Sequence, residues 1–357
     1  MCKRRKRFIY FIGLLLIIVS LLPNNNDVNA YQSLPQEEVG DQTCSQVQIV
    51  LLIDQSLSMR DNDPNELRSY APLHLVDVLA RNYLMAEANQ DPKVQPKRID
   101  FAVIHFASMA EVLLDWTRIA PTDDAAWQTR RSELKEVFEA YPNYDLIGNG
   151  TNFVRAFEVA EDMFQNDETP VDGCPQRLVM VLTDGRPQIG ENAWTNSQVE
   201  DHFLNISDIT NTTFNIEGTD VYVTAIQNAG DTFYWRDTKD FWKAITQDDP
   251  DYEIPRAEMV TSRSEIGGRM ADIIKTTIGE GVVVLEPGPI VIPPYVDRMI
   301  LDFYKTDTED LMILEDSAGE LTEARTDVEV HVYGQDSAIQ TLEIIRPEPG
   351  VYQLSTT

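Results

Sequence analysis

The sequence predicts an α/β chain: a Rossmann-like, doubly wound, mostly parallel sheet with one antiparallel edge strand, followed by a small all-β sandwich. Three observations predict it. Short, apolar, β-prone runs alternate with helical segments between residues 47 and 278. Their order, βαββααβαβαβα, is that of an open sheet covered by helices on both faces. Beyond residue 280 helical periodicity stops, and short strands separated by turn residues take over.

The first strand, Val47 to Ile53, is mostly apolar, as a strand buried on both faces must be. Residues 63–87 carry Leu67, Ala71, Leu75 and Val78 at helical spacing, although Pro72 predicts a break or restart inside the helix. Residues 99–107 and 110–119 read as two strands joined by a tight turn, and therefore antiparallel. A helix follows at 124–141. In 151–165, Phe153, Phe157, Ala160 and Phe164 form one apolar stripe. The stretch "QRLVMVLTDG", 176–185, begins as a continuous apolar strand suited to the centre of a parallel sheet. A polar helical segment with an insertion spans 192–216, then a strand 219–226, a helix 237–246 and a short strand 257–260. The closing helix, 263–278, keeps Ile266, Met270, Ile273 and Ile274 on one face. A Pro/Gly-rich junction at 279–296 leads to strands within 297–305, 311–319, 327–334 and 339–355. The expected division is an α/β domain at 46–280 and a β-sandwich at 281–357, open to being part of a longer architecture.

The N-terminus has another texture. Five basic residues, Lys3 to Arg7, precede a 15-residue apolar run from Phe8 to Leu22 and a polar stretch ending at Ala30. That is the layout of a secretory signal peptide at 1–30. The run is short of the roughly 20 residues that a spanning helix needs. An uncleaved anchor, basic side inward, is the alternative, and membrane contact is expected in that case alone. Residues 31–45 are polar and irregular. The expected location is secreted or at the cell surface. The formal net charge is −30, and removing the five basic residues and one acid of 1–30 takes it to −34. Such a surface repels nucleic acid and anionic headgroups, so no nucleic-acid partner is expected. It suits divalent cations and cationic partners.

The chemistry concentrates where strands end, because open α/β sheets place their sites beyond the C-terminal strand edge. The first strand runs into Asp54, Ser56 and Ser58. In an extended segment these alternate residues point to one side. The strand at 178–182 delivers Thr183, Asp184 and Gly185. The loop "GNGTNF", opening a helix, delivers Thr151. Two carboxylates and three hydroxyls, with no Cys or His, fit a hard ion such as Mg2+ or Mn2+ and suit Zn2+ or Cu2+ poorly. Hydroxyl ligands leave the ion open to a carboxylate arriving from another molecule, which is a binding mechanism and not a reaction. The individual residues have plainer readings as turn and cap residues, and their joint order favours the site.

Asp54-x-Ser56-x-Ser58, the later Thr151 in a Gly-rich loop and the later Thr183-Asp184-Gly185 together resemble the metal-ion-dependent adhesion site of von Willebrand factor type A domains. The resemblance covers about 46–280. It implies Ser56, Ser58 and Thr151 as hydroxyl ligands, and Asp54 and Asp184 as carboxylates holding the ion directly or through water. It implies cell adhesion or matrix binding, with a protein or surface partner that presents a carboxylate. Leu57 and Gly185 fall at the ligand-binding rim. Leu57 departs from the family pattern, which has Gly there; its bulk narrows access or adds an apolar contact for the partner.

Cys44 lies ten residues before Asp54, and Cys174 ten residues before Asp184. If both carboxylates reach one ion from the same edge, their strands are parallel neighbours. Equal offsets then bring the cysteines together at the opposite edge. A Cys44–Cys174 disulfide is expected in an oxidising compartment. No nucleophile elbow, phosphate-binding loop or His-Glu-x-x-His is present, so no enzyme is expected. A scaffold protein with a structural metal is the alternative, and a metal-assisted hydrolase ranks below it for want of a general base beside the oxygens. The acidic stretch at 61–66 is read as a helix cap in preference to a Ca2+ loop.

Overall fold

The structure, a computed structural model, describes residues 46–63, 66–89, 98–119, 124–139, 150–166, 175–188, 194–215, 218–227, 233–248, 254–278, 288–294, 296, 298–304, 310–333 and 339–356. The predicted leader at 1–30, the segment 31–45, Cys44 and Cys174 lie outside the described residues. Among the described residues no helix is long and apolar enough to cross a membrane.

Strand β1 (Gln46–Asp54) is followed by a single helical turn, α1 (Met59–Asn62), and a long helix, α2 (Leu67–Asn89). Strands β2 (Arg98–Phe106) and β3 (Ala110–Ile119) form the predicted antiparallel pair. Helices α3 (Asp124–Glu139) and α4 (Phe153–Gln165) lead to β4 (Pro175–Thr183). Then come α5 (Asn196–Ile209), which runs into a π-helical turn at Thr210–Phe214, and β5 (Thr219–Ile226). Helix α6 (Phe233–Thr246), strand β6 (Ala257–Val260) and helix α7 (Arg263–Ile278) complete the unit.

The sheet runs β3-β2-β1-β4-β5-β6, with every pairing parallel except that of β3. Every residue of β1 is buried, as its unbroken apolar run requires. The pleat splits its side chains between two layers. Val47, Ile49, Leu51 and Ile53 join a core with α2, α3 and α7, while Val50 and Leu52 join one with α4, α5 and α6. The chain therefore leaves β1 toward one face and β4 toward the other. The two strands are adjacent, so a crevice opens between their C-terminal ends, the topological switch point at which such sheets bind ligands.

Pro72 does not break α2, contrary to the expected interruption. It stands in the second turn, where it forfeits one backbone bond near the helix start. The flanking Ala71, Leu75 and Val76 are fully buried, and that packing outweighs the loss. Asp63 caps this helix: its carboxylate accepts the Leu67 N–H at 2.6 Å and the Arg68 N–H at 3.1 Å, as read for the 61–66 stretch.

The C-terminal part is all-β. Strands β7 (Gly288–Ile292), β8 (Arg298–Tyr304), β9 (Met312–Asp316), β10 (Gly319–Glu320), β11 (Glu329–Tyr333), β12 (Ile339–Ile345) and β13 (Gly350–Thr356) form two antiparallel sheets. One runs β10-β9-β13-β7 and the other β11-β12-β8. Leu314, Tyr352 and Leu354 of the first meet Leu301, Leu342 and Ile344 of the second in a core of their own, the anatomy of a sandwich. The turn-rich junction supplies β7, which the sequence pattern left inside the linker.

Candidate metal centre

The end of β1 is fixed before any ligand is considered. Asp54 is fully buried. Its Oδ1 accepts the Ser56 N–H at 2.8 Å, and its Oδ2 accepts the Thr183 hydroxyl at 2.7 Å. Ser56 Oγ lies 3.1 Å from Ser58 Oγ. The α1 turn then returns the chain, with the Asn62 N–H donating to Ser58 O at 3.0 Å. One turn on from Ser58, the Asn62 amide donates to Asp184 Oδ2 at 2.9 Å. Asp184 Oδ1 is buried and has no hydrogen-bond partner among the described residues.

Thr151, also buried, reaches the same edge by backbone bonds. It bridges Gln188, exchanging N–H and C=O on both sides, with the Gln188 N–H donating to Thr151 O at 3.1 Å. The Asn152 N–H donates to Ala107 O at 2.7 Å, just beyond the end of β2. The Asn152 side chain caps α4 by accepting the Arg155 N–H. Asp54, Ser56, Ser58, Thr151 and Asp184 thus sit on three segments at one sheet edge.

Burial pushes the Asp54 carboxyl up to about 7, and the like charge of Asp184 adds to the rise against the pull of the Ser56 and Thr183 hydrogen bonds. Burial also pushes Asp184 up, offset by Ser58, Asn62, the Arg186 N–H and the Arg68 charge. Two adjacent buried carboxylates, one with a free oxygen, beside three hydroxyls form a donor set that a hard divalent cation fits. Among the described residues no three His, Cys, Asp or Glu side chains gather into a metal cluster. The donor set, two carboxylates beside three hydroxyls, is hydroxyl-rich.

Gly185, expected at the rim, is buried instead. Its φ is +99°, and a Cβ there would meet Thr238 Oγ1 at 3.1 Å. Its carbonyl accepts the Trp242 indole N–H at 3.0 Å, and the Asp184 carbonyl accepts the Gln227 amide at 2.7 Å. Gly185 therefore makes the turn that aims Asp184, because an L side chain strains at that φ. Leu57 is exposed beside the two serines. The sequence reading missed Asn62 and Arg68 as supports. A polar residue four positions after Ser58, at the end of a single turn, was the available signal for Asn62.

A second support is titratable. The His202 ring of α5 is buried against Phe153 and Trp194, and its Nε2 accepts the Val154 N–H at 3.4 Å, in the first turn of α4 behind Thr151. Burial lowers its pKa to about 4. A folded value below the ordinary 6.5 means the neutral ring stabilises the fold above pH 6.5, and that stability is lost as pH falls toward 4. The loss is at most about 3 kcal/mol. In denaturant melts with saturating Mg2+, the stability gap between wild type and His202→Asn is expected to narrow from pH 7.5 to pH 4.5; a constant gap would contradict it.

Residues 49–186 match the family model described as von Willebrand factor type A domain. No curated protein matches the sequence. Among solved structures, the chain is similar to proximal thread matrix protein 1 from the mussel byssus, at 17% identity and a TM-score of 0.41, over 66% of this chain and 47% of that one. The PilB minor pilin from Streptococcus sanguinis is 11% identical with a TM-score of 0.44, over 66% and 62%. The pilus adhesin SpaC from Lactobacillus rhamnosus GG, in its open conformation, is 14% identical with a TM-score of 0.43, over 88% and 39%. The chain spans about half the length of the mussel protein. With its parallel sheet, one antiparallel edge and two helical layers, and with the family match over 49–186, this part of the chain has a fold like that of von Willebrand factor type A domains.

Proposed function

We propose that the chain is an exported, metal-dependent binding protein. Its α/β domain, 46–280, holds Mg2+ or Mn2+ through Ser56, Ser58 and Thr151, with Asp54 and Asp184 bound directly or through water. The ion accepts a carboxylate from a protein or matrix partner. The observation that carries this is the buried pair Asp54 and Asp184, with Asp184 Oδ1 buried and without a hydrogen-bond partner among the described residues. Without a cation, ionising both places two like charges out of water, which their hydrogen bonds and the Arg68 charge offset only in part. The family match supports a binding role, and no reaction is assigned to the site. The ion supplies an electrophilic position when bound. The residues supply the rest: Thr183 and the Ser56 N–H orient Asp54, Asn62 orients Asp184, and the Thr151–Gln188 bridge sets the third wall.

Calorimetry on wild type and Asp54→Ala tests the seat: wild type is expected to give saturable Mg2+ and Mn2+ heats and the variant none. Identical heats would sink it. Adhesion to a carboxylate-bearing surface is expected to vanish in EDTA and in Asp184→Ala. Adhesion that persists in EDTA while the melting temperature falls would point to a structural metal in a scaffold protein.

The paired cysteines belong to the same reading. β1 and β4 are parallel neighbours, with Gln46 opposite Pro175, two residues after Cys44 and one after Cys174. A disulfide closing that loop would stabilise by about 4–5 kcal/mol in the chain-entropy model. Thiol counting on the denatured mature protein is expected to give two thiols with reductant and none without. Two thiols in both would remove the bond.

A further inference from the structure

The rim of the site carries two exposed apolar side chains at matched positions. Asp54 pairs with Phe106, and the Gln55 N–H donates to Phe106 O at 2.6 Å. Leu57 and Met109 each lie three residues past that pair, in the turns that follow two neighbouring strands at the same sheet edge. Leu57 is 40% exposed and Met109 60%. Neither backbone is loose. The Leu57 carbonyl accepts the Arg60 N–H at 3.2 Å, in the turn that presents Ser56 and Ser58. The Met109 carbonyl accepts the Ala107 N–H at 2.8 Å, and Ser108 Oγ accepts the Gly150 N–H at 2.8 Å. The Met109 turn is thereby tied to the Thr151 loop.

From this juxtaposition we infer that the site selects a polypeptide carboxylate flanked by aliphatic side chains over the carboxylates of an acidic polysaccharide. The inference rests on the proposed metal-dependent binding and names its ligand class. A uronate surrounds its carboxylate with hydroxyls, which would lose water against Leu57 and Met109 without gaining partners. An Asp between aliphatic neighbours would instead bury apolar area there. Charge points the same way. A chain of net charge −30 repels a ligand dense in acids, so one carboxylate in an apolar setting suits it better than a polyuronate.

The test uses the full chain with saturating Mg2+ and three probes followed by NMR titration: a capped pentapeptide with Asp between two leucines, the same peptide with serines in place of the leucines, and trigalacturonate. The leucine peptide is expected to bind about tenfold more tightly than the serine peptide, roughly the effect of one well-buried aliphatic contact. Leu57→Ser and Met109→Ser are each expected to shrink that ratio, with the Mg2+ heats of Met109→Ser unchanged. Equal affinity for the two peptides, a ratio unmoved by both substitutions, or tighter binding of trigalacturonate would overturn the selectivity while leaving the metal site standing. If no probe binds in Mg2+, or binding persists in EDTA, the carboxylate reading fails and the selectivity with it.

Discussion

Chelating the divalent ion is expected to lower the melting temperature by about 10 °C at pH 8 and by far less at pH 5. The cause is the carboxyl at the end of β1. Burial and Asp184 hold Asp54 near 7 in the ion-free fold, against 3.8 when unfolded. Folded protein then binds a proton more tightly than unfolded protein. Ion-free stability is accordingly greatest at low pH and falls as pH rises from about 4 to above about 7. Holding the carboxyl so far above its unfolded value costs on the order of 4 kcal/mol once Asp54 is ionised. Asp184 is pushed in the same direction and deepens the trend. A bound cation compensates the ionised pair, so the loaded protein is expected to be nearly flat across this range. Scanning calorimetry in Mg2+ and in EDTA at pH 5, 6.5 and 8 measures the gap. A gap of equal size at all three values would mean that these carboxylates do not meet the ion. Asp54→Asn should behave as a control. It lacks the ionisation, so in EDTA it is expected to outlast wild type at pH 8.

Much of this was legible in the sequence because it depends on short-range pattern. The unbroken apolar run of β1 and the oxygen residues after it specify a buried strand ending at a polar edge. Equal reasoning found Thr151 ahead of its helix and Asp184 after a central strand. Long-range geometry was harder. The equal ten-residue offsets suggested strands in step, and β1 and β4 are indeed parallel neighbours. Yet Ile53 stands opposite Leu182, which puts Asp54 level with Thr183 and not with Asp184. That single step explains why Thr183 hydrogen-bonds Asp54 while Asp184 reaches across to Asn62. Gly185 reads as a rim residue from its place in the motif Thr183-Asp184-Gly185. Its burial depends on Thr238 and Trp242, which α6 brings in from more than fifty residues away. Pro72 misled because a local rule was read without knowing how deeply its helix packs.

Arg68→Met is expected to destabilise the domain by about 3–5 kcal/mol at pH 7.5, although Arg68 is not among the proposed metal ligands. Its guanidinium is wholly buried behind the site. Nε lies 3.6 Å from Asp63 Oδ2, and Nη1 donates to the Asp54 carbonyl at 3.5 Å. Methionine fills similar volume, so the loss comes from stranding Asp63 and not from a cavity. Even with Arg68 present, burial lifts Asp63 to about 6. Without it the carboxyl rises further, and the variant regains stability by protonation as pH falls. The deficit is thus expected to be largest above pH 7 and to shrink by pH 5. A second substitution separates this account from simple misfolding. Asn in place of Asp63 keeps an oxygen for the Leu67 and Arg68 N–H groups that cap α2, but carries no charge. Arg68→Met with Asp63→Asn is therefore expected to be more stable than Arg68→Met alone, a coupling that a double-mutant cycle in urea measures. If the two losses simply add, Asp63 and Arg68 do not act as a pair, and the inner wall of the site is held by packing alone.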